Sequence, residues 1–284
     1  MREKDYFDYR EAALKVIKYV DTTTNPFPKG ITDLMLYRNL QFEDIVALFE
    51  KRIIRICDYT GERVEEVVEK ICGYQNNGGK EWSKYGRHPL IFHSKVSRLM
   101  YAWVGIMDYL ALMRELTIDR INSDSGMIGV KILDFAGGNG EVGIQLARRG
   151  CDVTYADIGL KTMDFVKWRC CREAINLRFA PVVNGEVFLD NNKGYDYIIC
   201  FNALSHFPDA KDYLNRFYKW LVDDGELIIA DDIQISPTYP DGRPLWHLMA
   251  NKKYTTKEGH KFLFKDWMWV KKIYANCDVW RKII

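Results

Sequence analysis

The sequence predicts an α/β fold: a doubly wound, mostly parallel sheet with an N-terminal helical addition. From about residue 128, short apolar runs alternate with helix-like segments, the pattern of a parallel sheet covered by helices on both faces. Before that point apolar residues recur at helical spacing instead. A polar break at residues 122–126 separates the two patterns. We therefore expect a helical region at 1–125 and a sheet domain at 126–284.

Three helices are expected in the N-terminal region, each with one apolar face that packs against its neighbours. Two of them end near Gly61 and Gly73, and a third runs from Lys95 to Leu116. The turn-forming segment 75–80 and the aromatic, basic stretch 82–93 separate the second helix from the third. This stretch is predicted to be a loop.

The second region contains five strand candidates and three intervening helices. The strands are Val130–Phe135, Asp152–Asp157, Arg178–Val183, Tyr195–Phe201 and Glu226–Asp231, and the helices are Glu141–Arg149, Lys161–Ile175 and Ala210–Leu221. Towards the C-terminus, Lys265–Ala275 is interpreted as a helix and Asp278–Ile284 as a last strand. Sheets of this type bind ligands at the carboxyl ends of their strands, where the strand order reverses. The functional residues are expected there.

Composition and net charge limit the kinds of molecule that the protein is expected to bind. The chain has 284 residues and a formal net charge of +2, so its charge balance predicts neither a nucleic-acid nor an acidic membrane partner. Charged residues interrupt its most apolar long stretch, Val96–Leu116, and we expect no membrane span. Glu3 and Asp5 lie within the first five residues and no apolar run follows them, which argues against a secretory signal. Seven cysteines without a CxxC motif favour a reducing cytoplasm.

The strongest local signal is an apolar strand that ends in an acid and leads into glycines, residues 131–140. Glycines at such a point allow a ligand to approach the backbone closely, because no Cβ intervenes. This segment resembles motif I of class I S-adenosylmethionine-dependent methyltransferases, which have a Rossmann-like fold. The resemblance implies that Asp134, Ala136, Gly138 and Gly140 bind the amino-acid part of S-adenosyl-L-methionine. Ala136 stands where the first glycine is usual.

A nicotinamide enzyme is the rival interpretation, because residues 138–143 also satisfy the dinucleotide pattern GxGxxG. Two acids favour the methyltransferase. A carboxylate at Asp134 would attract the ammonium of methionine but repel a pyrophosphate, and Glu141 adds negative charge at the start of the helix.

The ends of the second and third strands supply further candidates for cofactor contact. Asp157 can accept hydrogen bonds from both ribose hydroxyls, a role that dinucleotide enzymes share. The resemblance implies that Ile158 contacts the adenine and that Asn184 lies near the adenine amine.

The segment after the fourth strand, residues 200–209, resembles that of small-molecule methyltransferases of the ubiquinone/menaquinone-biosynthesis type. With the glycine-led fifth strand, the resemblance extends over residues 128–232. Asn202 is expected to contact the cofactor, and His206 is a candidate general base, although a capping or packing histidine is the alternative. Asp231 and Asp232 are similar to metal ligands of catechol-type O-methyltransferases, but the rest of that pattern is missing and we predict no metal site.

The resemblance implies in-line transfer of a methyl group to a small-molecule acceptor. A methyltransferase acting on protein or nucleic acid is an alternative, as is an oxidoreductase or a non-catalytic nucleoside-binding module. The N-terminal region is predicted to act as a lid that recognises the acceptor, with Tyr85, Arg87 and His88 as contact candidates. Its alternative role is the surface of a homodimer. Neither a membrane nor a nucleic acid is expected as a partner.

Overall fold

The computed structural model describes residues 9–18, 27–72, 109–158, 160–183, 186–187, 189, 194–201, 203–204, 207, 209–230, 264–274 and 277–283. These residues form two compact units, one up to Glu115 and the other from Leu116 onward. The domain boundary expected between residues 125 and 126 stays a prediction. Among the described helices, none has the length and apolar character needed to cross a membrane.

The first unit is helical. It contains α1 (residues 9–18), α2 (Phe27–Arg38), α3 (Phe42–Thr60), α4 (residues 64–72) and the first part of α5 (Tyr109–Ser125). The predicted helix before Gly61 is confirmed as α3, which buries Ile45, Phe49 and Ile53. Gly61 ends it in a left-handed conformation, φ 73°, with its N–H bonded to the Cys57 carbonyl at 2.8 Å. Glycine is the usual residue at such a helix end.

The second unit carries the sheet. Its helices after α5 are α6 (Glu141–Arg148), α7 (Leu160–Glu173) and α8 (Ala210–Trp220). Its strands are β1 (Lys131–Phe135), β2 (Asp152–Asp157), β3 (Arg178–Val183), β4 (Glu186–Val187), β5 (Tyr195–Phe201), β6 (Leu221–Ala230), β7 (Trp267–Tyr274) and β8 (Cys277–Lys282). The bounds predicted for β2, β3 and β5 are confirmed, whereas β6 begins earlier in the chain than predicted.

The described strands form one eight-stranded sheet in the order β4-β3-β2-β1-β5-β6-β8-β7. Strands β3, β2, β1, β5 and β6 are parallel to one another, which confirms the predicted α/β fold. The chain moves outward from β1 to β3 and then returns to the other side of β1 to form β5. The strand order therefore reverses between β1 and β5, where ligands of such sheets bind.

The C-terminal hairpin corrects one expectation. The helix predicted over Lys265–Ala275 is wrong, because Trp267–Tyr274 is a strand paired antiparallel with β8. The last strand, predicted over Asp278–Ile284, corresponds to β8, which also pairs antiparallel with β6. Register shifts between Trp269 and Lys271 and between Lys272 and Tyr274 explain the error. They interrupt the strict alternation by which a strand is recognised in a sequence.

Aromatic packing fixes the end of β1. The buried Phe135 ring lies 5.0 Å from the Phe217 ring and 5.7 Å from the Tyr213 ring, both on α8, and 5.6 Å from Phe207. Such clusters bury large apolar areas and restrict ring orientation. The residue that precedes the glycine segment is thereby held in place.

A buried ion triad ties α5 to the sheet. The Glu226 carboxylate on β6 accepts hydrogen bonds from Arg120 of α5 at 2.5 Å and from Arg281 of β8 at 2.7 Å. The Glu226 and Arg120 side chains are 4% and 9% exposed. Two cations share one anion here, so removal of the anion would take this partner from both.

We expect Glu226→Ala to lower the free energy of unfolding by about 3 kcal/mol, because it removes the carboxylate shared by the buried Arg120 and the partly exposed Arg281. Urea unfolding followed by circular dichroism measures the change. Asp223→Ala is the control, since Asp223 pairs with Lys282 at 2.8 Å on the surface, and should leave the midpoint unchanged. Equal midpoints for Glu226→Ala and the wild type would contradict a stabilising role of the triad.

Candidate functional site

The glycine segment forms a tight loop at the carboxyl end of β1, residues 136–140. Its start is attached to the end of β2, because the Ala136 N–H donates to the Ala156 carbonyl at 2.7 Å. A further bond, from the Gly140 N–H to the Gly137 carbonyl at 2.9 Å, closes the turn, and α6 begins at Glu141. The loop thus lies at the point where the strand order reverses.

Three loop residues are left-handed: Ala136, Gly138 and Gly140, with φ of 55°, 54° and 71°. Glycine adopts this conformation without steric cost, whereas a Cβ makes it less favourable by about 1–2 kcal/mol. Ala136 therefore keeps the path of the loop at some cost in conformational energy. This is the physical consequence of alanine where the family usually has its first glycine.

Gly138 and Asp157, predicted separately from two strand ends, come together. The Gly138 N–H donates to Oδ2 of Asp157 at 3.0 Å. Among the described residues, no atom lies within 4 Å of a Cβ built on Gly138, so that part of the structure leaves the space beside this contact open. Ile158, the predicted adenine contact, is half-buried and packs on the main core. An open glycine beside a strand-end carboxylate fits a nucleoside cofactor that approaches the backbone.

Asp134 has a structural contact. Its carboxylate is buried, at 3% exposure, and Oδ2 accepts the Gly143 N–H of α6 at 2.9 Å. A Cβ on Gly137 or on Gly143 would lie 2.7 Å from the same oxygen. Both glycines are therefore needed so that α6 can pack against the end of β1. The role of Asp134 towards the methionine ammonium stays a prediction.

The charge of Glu141 is balanced within the protein. Oε1 of Glu141 lies 2.8 Å from the Arg169 guanidinium of α7. From the sequence alone, Glu141 adds negative charge at the loop, but this ion pair compensates it. Glu141 therefore gives less reason to prefer S-adenosylmethionine over a nicotinamide cofactor.

Two buried side chains that sequence reasoning missed contact the loop. The Tyr155 hydroxyl on β2 donates to the Gly138 carbonyl at 2.5 Å, and Arg169 donates to the Asn139 carbonyl at 2.6 Å. A partial signal was present for Tyr155, because it lies two residues before Asp157 and shares its strand face. Arg169 gave no such signal, since a charged residue in an amphipathic helix usually faces solvent.

The other sequence-predicted positions lie outside the described residues, and their assignments stay predictions. They are Tyr85, Arg87, His88, Asn184, Asn202, His206, Asp231 and Asp232. Within the part of the chain that the structure describes, no group of three or more His, Cys, Asp or Glu side chains is placed to hold a metal ion.

The packing of Asp134 predicts the sign of one substitution. Gly143→Ala in a helix interior would ordinarily be stabilising by about 1 kcal/mol. Here the added methyl would lie 2.7 Å from Asp134 Oδ2, and such overpacking costs about 1–3 kcal/mol. We expect net destabilisation, measured by urea unfolding. A variant more stable than the wild type would show that this contact is not tight.

Comparison with known proteins supports a methyltransferase domain that includes the glycine loop. A protein-family model described as "Methyltransferase domain" matches residues 133–227, from β1 into β6. The curated relatives include the ubiquinone biosynthesis O-methyltransferase of Salmonella paratyphi A, 27% identical over 37% of this chain and 43% of that protein. That of Aeromonas salmonicida is 27% identical over 41% of this chain and 48% of its own. The chain thus matches less than half the length of these relatives.

Solved structures with a similar fold include a Pyrococcus horikoshii protein, 17% identical with a TM-score of 0.48 over 71% of this chain and 99% of that one. Magnesium protoporphyrin IX methyltransferase from Synechocystis, solved with bound SAM, is 15% identical, with a TM-score of 0.42 over 59% and 76% of the two chains. At these scores the likenesses carry no functional argument. The family match does: residues 133–227 form a methyltransferase domain.

Proposed function

We propose that the chain transfers the methyl group of S-adenosylmethionine to a small-molecule acceptor. The observation that carries this proposal is the contact between the Gly138 N–H and the Asp157 carboxylate, 3.0 Å, beside open space. At the point where the strand order reverses, this contact places a carboxylate that can bind ribose hydroxyls beside a stretch of backbone that a ligand can approach. Both residues belong to the matched methyltransferase segment.

The cofactor, when bound, supplies a methyl group already activated on a sulfonium. The residues of the chain then have to bind and orient the two reactants and exclude water. Good alignment of the reactants lowers the activation free energy by about 7–11 kcal/mol. Asp157 binds the ribose, and the loop at 136–140 receives the amino-acid part. A general base is needed only for an acceptor that is protonated at working pH, and His206 is the candidate.

The acceptor is proposed to be a small molecule for two reasons. The curated relatives are named for ubiquinone biosynthesis, although they match only part of this chain. In addition, Asn202 is followed by Ala203, so the Asn-Pro-Pro-Tyr type signature of methyltransferases acting on DNA and many protein amines is missing. A protein or nucleic-acid acceptor is the alternative outcome of the transfer assay described below.

A nicotinamide enzyme is the second candidate because one observation favours it. Gly143 lies against β1. In dinucleotide-binding proteins the third glycine of the GxGxxG pattern likewise allows the helix to pack closely against the strand. The methyltransferase is preferred because the family match includes this same loop. Calorimetric titration with S-adenosylhomocysteine and with NADH separates the two, and binding of NADH alone would contradict the proposal.

The helical N-terminal region is proposed to recognise the acceptor as a lid, with Tyr85, Arg87 and His88 as its contacts. Its support is the composition of this stretch: aromatic rings and cations suit a polar aromatic acceptor, and lids of this kind exclude water. The alternative proposal is a homodimer surface. Sedimentation analysis distinguishes them, because a stable dimer at micromolar concentration favours the second.

We also propose that the protein works in a reducing cytoplasm. All seven cysteines are free, and burial raises the pKa of Cys57, Cys151 and Cys170 to about 11. Such thiols stay protonated at neutral pH and are poor nucleophiles. The net charge of +2 offers no support for a membrane or nucleic-acid partner.

We expect Asp157→Ala to weaken binding of S-adenosylhomocysteine by about 1.5–3 kcal/mol, because hydrogen bonds to a charged acceptor are lost. Calorimetry measures the affinity. Asp152→Ala is the matched control, since Asp152 lies at the opposite end of β2 and pairs with Arg178 at 2.9 Å on the surface. Unchanged affinity of Asp157→Ala would remove Asp157 from the proposed ribose site.

Combined replacement of Tyr85, Arg87 and His88 by alanine should abolish methyl transfer but leave affinity for S-adenosylhomocysteine unchanged. Transfer is followed with S-adenosylmethionine labelled in its methyl group, incubated with separated small-molecule, protein and RNA fractions of a cell extract. The wild type is expected to label the small-molecule fraction. Undiminished labelling by the triple variant would contradict the proposed role of this stretch.

A further inference from the structure

Two successive carbonyl groups of the glycine loop face buried donors. The Gly138 carbonyl accepts from the Tyr155 hydroxyl at 2.5 Å, and the Asn139 carbonyl accepts from Nη1 of Arg169 at 2.6 Å. Tyr155 is 0% exposed on β2, and Arg169 is 3% exposed on α7. Two different elements of the fold thus hold two neighbouring peptide groups of one loop.

These carbonyl contacts determine the direction of the amides that follow. The C=O and N–H of a trans peptide point in opposite directions in one plane. The bond from Tyr155 therefore turns the Asn139 N–H away from the buried tyrosine. In the same way the bond from Arg169 orients the Gly140 N–H, which donates to the Gly137 carbonyl. The amide directions of the loop depend on these two side chains.

Arg169 also joins the loop to the start of α6. Its guanidinium lies 2.8 Å from Oε1 of Glu141, whose side chain is 14% exposed. An arginine is costly to bury unless several acceptors surround it. The Asn139 carbonyl, which accepts a hydrogen bond, and the Glu141 carboxylate, which forms the ion pair, belong to adjacent parts of the same motif. One cation therefore fixes both the loop and the first residue of the helix.

Tyr155 is suited to donate under all physiological conditions. Burial raises its pKa well above the usual value for tyrosine, and the nearby carboxylates of Asp157 and Asp134 raise it further. The phenol consequently keeps its proton. Its ring also lies under the loop, since a Cβ on Gly137 would come within 2.8 Å of Cε2.

We propose that Tyr155 and Arg169 are positioning residues that hold the Gly138–Asn139 segment in the conformation that receives the cofactor. The inference rests on the proposed function for its cofactor and on the carbonyl contacts for its geometry. Neither side chain is expected to touch the reacting atoms. Without the two donors, the loop carbonyls would lose their partners and the amides their fixed direction.

The test uses Tyr155→Phe, which keeps the ring and removes the hydroxyl, and Arg169→Met, which keeps much of the stem and removes the charge. We expect the Kd for S-adenosylhomocysteine to rise about tenfold or more in each. Tyr195→Phe and Arg172→Met are matched controls. Tyr195 is a buried tyrosine at the start of β5, and Arg172 is an exposed arginine on α7. Neither control should change the Kd.

Amide hydrogen exchange of the free protein provides a second readout that does not depend on any ligand. Residues 138–143 should exchange faster in Tyr155→Phe and Arg169→Met, while the rest of the sheet unit exchanges as in the wild type. If Arg169→Met does not fold, Arg169→Lys replaces it, because lysine keeps the charge but lacks the fork that reaches two acceptors. We expect Arg169→Lys to show the same local increase in exchange.

The outcomes separate this inference from the proposed function. Unchanged affinity together with unchanged loop exchange in the variants would overturn the positioning role. A wild type that does not bind S-adenosylhomocysteine would overturn the proposed function, and exchange alone would then decide whether Tyr155 and Arg169 hold the loop. Faster exchange throughout the sheet unit, in place of a local change, would show a merely structural role and would also overturn the inference.

Discussion

The close approach of α6 to the end of β1 is the constraint on which the site depends. Gly137 and Gly143 have no Cβ, and only for that reason can the Asp134 carboxylate lie between the loop and the helix. A larger residue at either position would force the Asp134 carboxylate or α6 to shift. Glycine here serves packing as much as ligand access.

The glycines of the motif therefore have different physical tasks. Gly137 and Gly143 face the protein interior, where Asp134 and Tyr155 fill the space, whereas Gly138 faces open space. A sequence pattern treats these positions alike. The structure distinguishes Gly137 and Gly143, which pack against other atoms, from Gly138, beside which no described atom lies. Destabilisation and loss of binding are accordingly separable effects within a single short motif.

Buried charge in this domain is placed where elements must be held in register. Glu226 joins α5, β6 and β8 through two arginines, and Arg169 joins the loop, α6 and α7. Buried ion pairs contribute less to net stability than their Coulomb energy suggests, because desolvation opposes it. Here the ion pairs restrict the geometry of the fold. Each charge has several partners from different elements, and few other arrangements of those elements would satisfy all of them.

The α/β class, the bounds of β2, β3 and β5, the glycine loop and the strand-end acids could be predicted from the sequence alone. These features depend on local periodicity and on residue types at strand ends, which a sequence displays directly. Strand β8 was predicted, but β7 was interpreted as a helix, because register shifts hide its alternation and it is held by pairing with β8. Tyr155 and Arg169 were missed because their loop contacts join residues far apart in the chain. Only the tertiary structure brings their donors to the carbonyls of Gly138 and Asn139.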